Sequence, residues 1–276
     1  MKMKINIAKI LISCTLLFFI TACGNKKSQE ITTVQTQQRA DNQTINKPAS
    51  STKKSSSSKT KHPKKIKLTD DNVVAELTKY GRENHETLVR LTTAKGTMLI
   101  QLFEDTPLHR ANFVHLIKEN FYDGTEFYRV IDGFMIQGGD SDGYERYAAK
   151  EKIGKYTIPS EFRDNHIHRR GALSMVREYE NNPEKRSSPY EFFIVQGTRY
   201  TEGELRGTEF NYNMRISPEN CEIYKTEGGC AYLDGQHTVF GQVVEGVEVI
   251  DKIAAVKTDN GDWPIEAVKI KLEIVK

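Results

Sequence analysis

FYRVIDGFMIQGGD, residues 127–140, sets one arginine, Arg129, inside a run of aromatic and aliphatic residues and closes it with Gly138-Gly139. Phe127–Ile131 alternates as a strand does, and Asp132-Gly133 is a strong signal for a two-residue hairpin turn. Phe134–Gln137 then returns as the partner strand, which the glycine pair breaks. Period two places Phe127, Arg129 and Ile131 on one face and Tyr128 and Val130 on the other. On that reading Arg129 shares a face with apolar groups and has Phe134, Met135 and Gln137 close by across the hairpin. An apolar pocket holding one guanidinium fork suits an amide or carboxylate ligand with an apolar body.

Similar signals extend to both sides. Thr87–Thr92 and Thr97–Phe103 read as two strands joined through Lys95-Gly96. Thr106-Pro107 caps and starts a helix whose buried side is Ala111, Phe113, Val114, Leu116 and Ile117. Further strands are expected at Gly171–Val176, Glu191–Gln196, Thr238–Val244 and Val268–Val275, with a short helix over Gly246–Ala254. Upstream, Thr69-Asp70-Asp71 opens a helix along Val73, Val74, Leu77 and Tyr80, with Gly81 placed as its stop. Many strands, few helices and local hairpins predict a mainly β fold, a closed or nearly closed antiparallel barrel capped by helices, with an N-terminal helical appendage.

The organisation divides into residues 1–22, 23–65, 66–85 and 86–276. Lys2, Lys4 and Lys9 precede the apolar run Ile10–Ile20, which is too short to span a bilayer. Ile20-Thr21-Ala22-Cys23-Gly24 resembles a bacterial lipobox. That resemblance implies cleavage before Cys23 and lipidation of Cys23; an ordinary signal peptide cut after Ala22 and an uncleaved anchor are the alternatives. Residues 23–65 are rich in Ser, Thr, Lys, Gln and Asn and nearly free of aliphatics, the composition of a flexible basic tether. The total charge is +3. Met1–Cys23 carries +3 and Gly24–Lys65 carries +8, which leaves −8 for Ile66–Lys276. A nucleic-acid binder concentrates positive charge on its folded surface, so no nucleic-acid partner is expected.

The opening stretch closely resembles the cyclophilin signature, an aromatic, a variable residue and Arg ahead of a Gly-Phe-Met-x-Gln-Gly-Gly-Asp run. The likeness continues in order through Gly171–Met175, Phe192-Phe193-Ile194 and Leu233–Gly241, and covers roughly Leu88 to Val275. It implies a closed eight-stranded antiparallel barrel capped by two helices, and peptidyl-prolyl cis–trans isomerase activity with no cofactor and no metal. Residue by residue it implies Arg129 as the catalytic arginine, Gln137 orienting it and binding substrate backbone, and His237 at the pocket rim. Phe134, Met135, Phe193 and Leu233 would line the proline pocket.

This chain also departs from the family. It has Val176-Arg177 after Met175 where Ala-Asn is common, Glu191 where Gln is common, and Tyr232 where many members have Trp. Val176, Arg177, Glu191 and Tyr232 are therefore expected at altered substrate contacts, with Glu191 paired to Arg177 or to Arg129. Asp140-Ser141-Asp142-Gly143 resembles a fragment of a calcium loop without its remaining ligands, and His166-Ile167-His168 lacks partner ligands in sequence.

Cys221 and Cys230 leave a disulfide or two thiols open. An insertion at about 199–231 is either a lobe beside the groove or a plain loop. The expected partners are proline-containing exported polypeptides and a membrane reached through lipid on Cys23. The expected place is the bacterial cell envelope, at the outer membrane facing the periplasm, and the expected state is a monomer. The alternative reading is a cyclophilin scaffold that binds peptides or chaperones with weak or no isomerase activity.

Overall fold

The computed structural model describes residues 67–139 and 144–275; the signal segment, Cys23, the tether and Asp140–Gly143 lie outside the described residues. In chain order the elements are β1 (Leu68–Thr69), α1 (Val73–Glu83), β2 (Leu88–Thr93), β3 (Gly96–Leu102), α2 (Pro107–Lys118), β4 (Glu126–Ile131), β5 (Met135–Gly138), α3 (Tyr144–Ile153), β6 (Gly154–Lys155), β7 (Ala172–Met175) and β8 (Phe192–Val195). After these come α4 (Glu202–Tyr212), α5 (Pro218–Thr226), a 3-10 turn (Ala231–Leu233), β9 (Val239–Glu245), α6 (Glu248–Ala254), β10 (Val268–Lys269) and β11 (Lys271–Ile274).

Nine strands form one antiparallel sheet in the order β10-β4-β5-β8-β7-β9-β3-β2-β11. Its two ends are successive pieces of one segment, so the sheet closes on itself. Val268 pairs with Phe127 of β4, and Leu272 with Leu91 of β2. Between them Ile270 donates its N–H to the Thr125 carbonyl (2.9 Å), where the segment changes partner. The expected eight strands become nine because this closing strand is broken at Ile270. Closure removes the free edges that an open sheet would expose. The interior is filled by rings: Phe113 meets Phe192 and Phe240 edge-on, and Tyr122 meets Phe192 the same way. α2 packs against β11, while α6 packs on β3, β4 and β5.

Three local expectations are corrected. The N-terminal helix starts at Val73, not beside Thr69; Asn72 is its N-cap, and the Asn72 side chain accepts from Thr69 N–H. Gly81 lies inside this helix rather than stopping it. It is buried where α1 meets α2, and a Cβ there would stand 3.3 Å from Ala111 Cβ, so close packing explains the glycine. The first turn of α2 is capped by a distant residue instead of by Thr106. Glu161 accepts from Leu108 N–H (3.1 Å) and His109 N–H (2.9 Å) and also holds His109 Nδ1 (2.7 Å), all of it buried. The Thr106 hydroxyl turns back to the Phe103 carbonyl.

Nor do Cys221 and Cys230 form a disulfide. Cys230 is buried beside Met135 and Phe193, whereas Cys221 packs on an outer cluster with Leu205, Ile216 and Tyr224. Their side chains serve different packing groups. The insertion itself is helical, α4 and α5 over that outer cluster. Composition gave no sign of α3.

Candidate functional site

The hairpin of the opening stretch has a three-residue loop, not two. Ile131 pairs with Met135, and Phe134 N–H bonds the Ile131 carbonyl (3.1 Å). Gly133 occupies the third turn position at φ 75°, which favours glycine.

A second irregularity shapes the site. Phe127 opposes Gly138 and Arg129 opposes Gln137, leaving Tyr128 as the extra residue of a β-bulge. Alternation fails there. Phe127 and Val130 both enter the barrel core, and Arg129 does not share the face of Phe127. The bulge instead brings Tyr128 and Arg129 together onto the side of Gln137.

There a cavity of about 190 Å³ gathers Arg129, Gln137, His237, Phe134, Met135, Val176, Arg177, Phe193 and Leu233, and adds Tyr179. That is below the usual size of a small-molecule site and fits a single side chain. Met135, Phe193 and Leu233 are buried in one apolar cluster, with Phe134 and Val176 packed against it. Arg129 stands at the opening with its side chain 43% exposed; among the described residues its ion pair is with Asp262, Nε to Oδ2 3.6 Å.

Two expected roles change. Gln137 does not bond Arg129 here: its Nε2 donates to the Tyr128 hydroxyl (2.5 Å). That hydroxyl donates to Glu191 Oε1 (2.6 Å), and Ser188 donates to Glu191 Oε2 (3.0 Å). Glu191 therefore pairs with neither Arg129 nor Arg177; its two oxygens are taken by the hydroxyls of Tyr128 and Ser188. Arg177 is fixed from elsewhere. Its Nε donates to the Gln236 carbonyl (2.6 Å), and its guanidinium lies 4.1 Å from the ring centre of Tyr179. Glu191 and Tyr232 stand outside the cavity; the Tyr232 ring leans on Phe134 at 6.1 Å.

His237 is buried and meets Phe193 edge-on at 5.3 Å. Burial pushes its pKa down to about 4, so the ring is neutral at physiological pH. A carbonyl can only accept, so Nδ1–H donates to Met175 O (3.0 Å) and Nε2 accepts from the Tyr179 hydroxyl (2.8 Å). The other two histidines of interest diverge: His166 contacts Asp105, and His168 contacts Asp234 and Ser174.

Sequence reading missed Tyr128, Tyr179 and Asp262. Tyr128 was assigned to the opposite face, and only its place as an extra residue in the ladder reveals otherwise. Asp262 belongs to a loop remote in sequence; its carbonyl accepts from Val130 N–H (2.9 Å), and the neighbouring Trp263 ring lies 5.6 Å from that of Tyr128. Among the described residues lining the cavity there is no carboxylate, thiol or aliphatic hydroxyl. The arrangement offers two guanidinium groups, one amide, one phenol and a neutral imidazole around an apolar floor. It is built to hold a ring and polarise an atom beside it.

The family model for cyclophilin type peptidyl-prolyl cis-trans isomerase/CLD matches residues 88–273. A Streptococcus pyogenes protein named as a bifunctional phosphatase/peptidyl-prolyl cis-trans isomerase is 37% identical over 195 residues, which is 68% of this chain and 39% of that protein. The chain thus spans well under half of that longer relative. A Staphylococcus epidermidis protein named as a peptidyl-prolyl cis-trans isomerase is 35% identical over 191 residues, 68% of this chain and 91% of that one. A solved Cryptosporidium parvum structure, a cyclophilin type peptidyl-prolyl cis-trans isomerase, aligns at TM-score 0.49 and 23% identity over 69% of this chain and 98% of that one.

Proposed function

The chain belongs to the cyclophilin-type peptidyl-prolyl cis-trans isomerase family, and from that membership we propose that it turns Xaa-Pro bonds at the Arg129 cavity, in exported polypeptides of a bacterial envelope. The observation that carries this reading is the bulge-positioned guanidinium at the mouth of a cavity sized for one ring.

Resonance sets a barrier of about 18–20 kcal/mol to rotation about a peptide bond. As the prolyl amide twists, its nitrogen turns pyramidal and basic. A guanidinium N–H from Arg129 then donates to that nitrogen. The planar cis and trans forms offer no comparable acceptor, so the interaction favours the twisted state selectively, which is what lowers a barrier. Phe134, Met135, Phe193 and Leu233 hold the ring, and their exclusion of water strengthens the bond. Gln137, steadied by Tyr128 and Glu191, presents its amide to the substrate backbone. His237, neutral and tied at both nitrogens, serves as a shaped wall and holds Tyr179 in place. Glu191 is spent on Tyr128 and Ser188 and does not compete for Arg129, which speaks against the alternative of a silent binding scaffold. The envelope setting rests on Lys2–Cys23 and the tether.

The test is prolyl isomerisation of Ala-Pro peptides. Arg129→Ala should lower kcat/KM by about a hundredfold or more, the scale set by removing one donor to a transition state. An undiminished variant overturns the assignment of Arg129.

A further inference from the structure

The lobe between β8 and the 3-10 turn reaches the groove through aromatic rings. α4 packs on the turn that carries Tyr232 and Leu233. It begins in a capping box, with Thr201 and Glu204 bonded reciprocally. It ends at Asn213 in the left-handed conformation (φ 48°), one residue after Tyr212. The Tyr212 ring stacks on Tyr232, with centroids 5.6 Å apart and planes at 28°. Tyr232 in turn leans on Phe134 at 6.1 Å and 33°, and Phe134 lines the cavity. The three rings run in a row from the cavity mouth to the lobe. Tyr212 remains 56% exposed, so much of its surface is open to solvent.

The three acids of α4 are bonded within the lobe. Glu204 holds Thr201, Glu202 pairs with Arg206 and Lys225, and Glu209 accepts from Ile216 N–H. The row itself presents ring faces, and none of its three side chains carries a charge.

We propose that Tyr212, with Tyr232 and Phe134, forms an accessory subsite for an aromatic side chain flanking the substrate proline. This chain's own insertion then sets the sequence preference of the isomerase. The inference rests on the isomerase reading above and names the substrate class for that same site. An offset ring pair contributes about 0.5–1.5 kcal/mol beyond area burial, which corresponds to about a two- to twelvefold preference.

The experiment measures kcat/KM of the full chain on Ala-Pro-Ala peptides in which Phe replaces the residue before or after proline. Wild type should favour one Phe peptide over its Ala counterpart by about two- to twelvefold. Tyr212→Ala should bring that ratio to about one, and Tyr212→Phe should keep it. Phe210→Ser is the control: Phe210 is 87% exposed and sits two residues earlier, about 200° round the helix, so its ratio should match wild type. A wild type that isomerises all peptides equally, or a Tyr212→Ala variant with the wild-type ratio, overturns the subsite and leaves the isomerase reading intact. A wild type inactive on every peptide overturns both.

Discussion

His237 carries the strongest titration consequence at the residue scale. Its folded pKa is held near 4 by burial, against 6.5 for an unburied imidazole. The unfolded chain thus binds a proton across that interval that the folded chain refuses, and stability rises with pH there. The contribution is fully present above pH 6.5 and is lost as pH falls through 4. In urea unfolding, the stability of wild type relative to His237→Asn should drop by on the order of 2–3 kcal/mol between pH 7 and pH 4. A difference that stays constant over that range would show that the imidazole titrates as it does in the unfolded chain. Arg129, Phe134, Met135, Phe193, Leu233 and His237 were all legible in sequence as members of one site, since they fall in ordered motif blocks. The partners of Gln137 and Glu191 were not. Hydrogen-bond choice depends on which phenol or guanidinium arrives within 3 Å, and that is a tertiary fact.

At the element scale, α2 is tied to the barrel by a buried carboxylate. Glu161 takes two first-turn N–H groups and His109 Nδ1, His109 Nε2 contacts the Ser187 hydroxyl, and Glu161 N–H donates to the Thr238 hydroxyl. Glu161→Ala leaves these donors buried without an acceptor, at a cost of about 3 kcal/mol or more. Glu161→Gln keeps one oxygen and should cost less. Chemical denaturation of the two variants checks the order; equal stabilities would mean that water replaces the carboxylate. Sequence reading found the helix and its buried side correctly, because Pro107 and the apolar spacing are local signals. It named the wrong cap, because the capping group lies more than fifty residues downstream. The bulge in β4 escaped for a similar reason: an extra residue in a ladder is defined by the strand it faces, and strict alternation is the default when that strand is unknown.

At the scale of the whole molecule, the barrel is one closed sheet whose last segment joins both edges, with Val268, Ile270 and Leu272 buried inside the closure. The lipid anchor proposed at Cys23 would be a whole-chain property as well. With palmitate labelling in a bacterial host, the wild-type chain should carry label and partition with membranes, and Cys23→Ala should lose both; label retained on the variant would exclude Cys23 as the lipid site. The sequence alone determined the strand-rich class, the presence of a C-terminal strand, and the family with its central arginine, since these rest on local periodicity and on short blocks that stay contiguous along the chain. Only the tertiary structure decided that Tyr128 and Arg129 share the groove, that Glu191 leaves Arg129 unpaired with it, that Cys221 and Cys230 serve separate clusters, and that the insertion brings Tyr212 onto Tyr232. Each of these depends on which distant segments meet, and pairing between strands and helices far apart in sequence settles that only when the barrel closes.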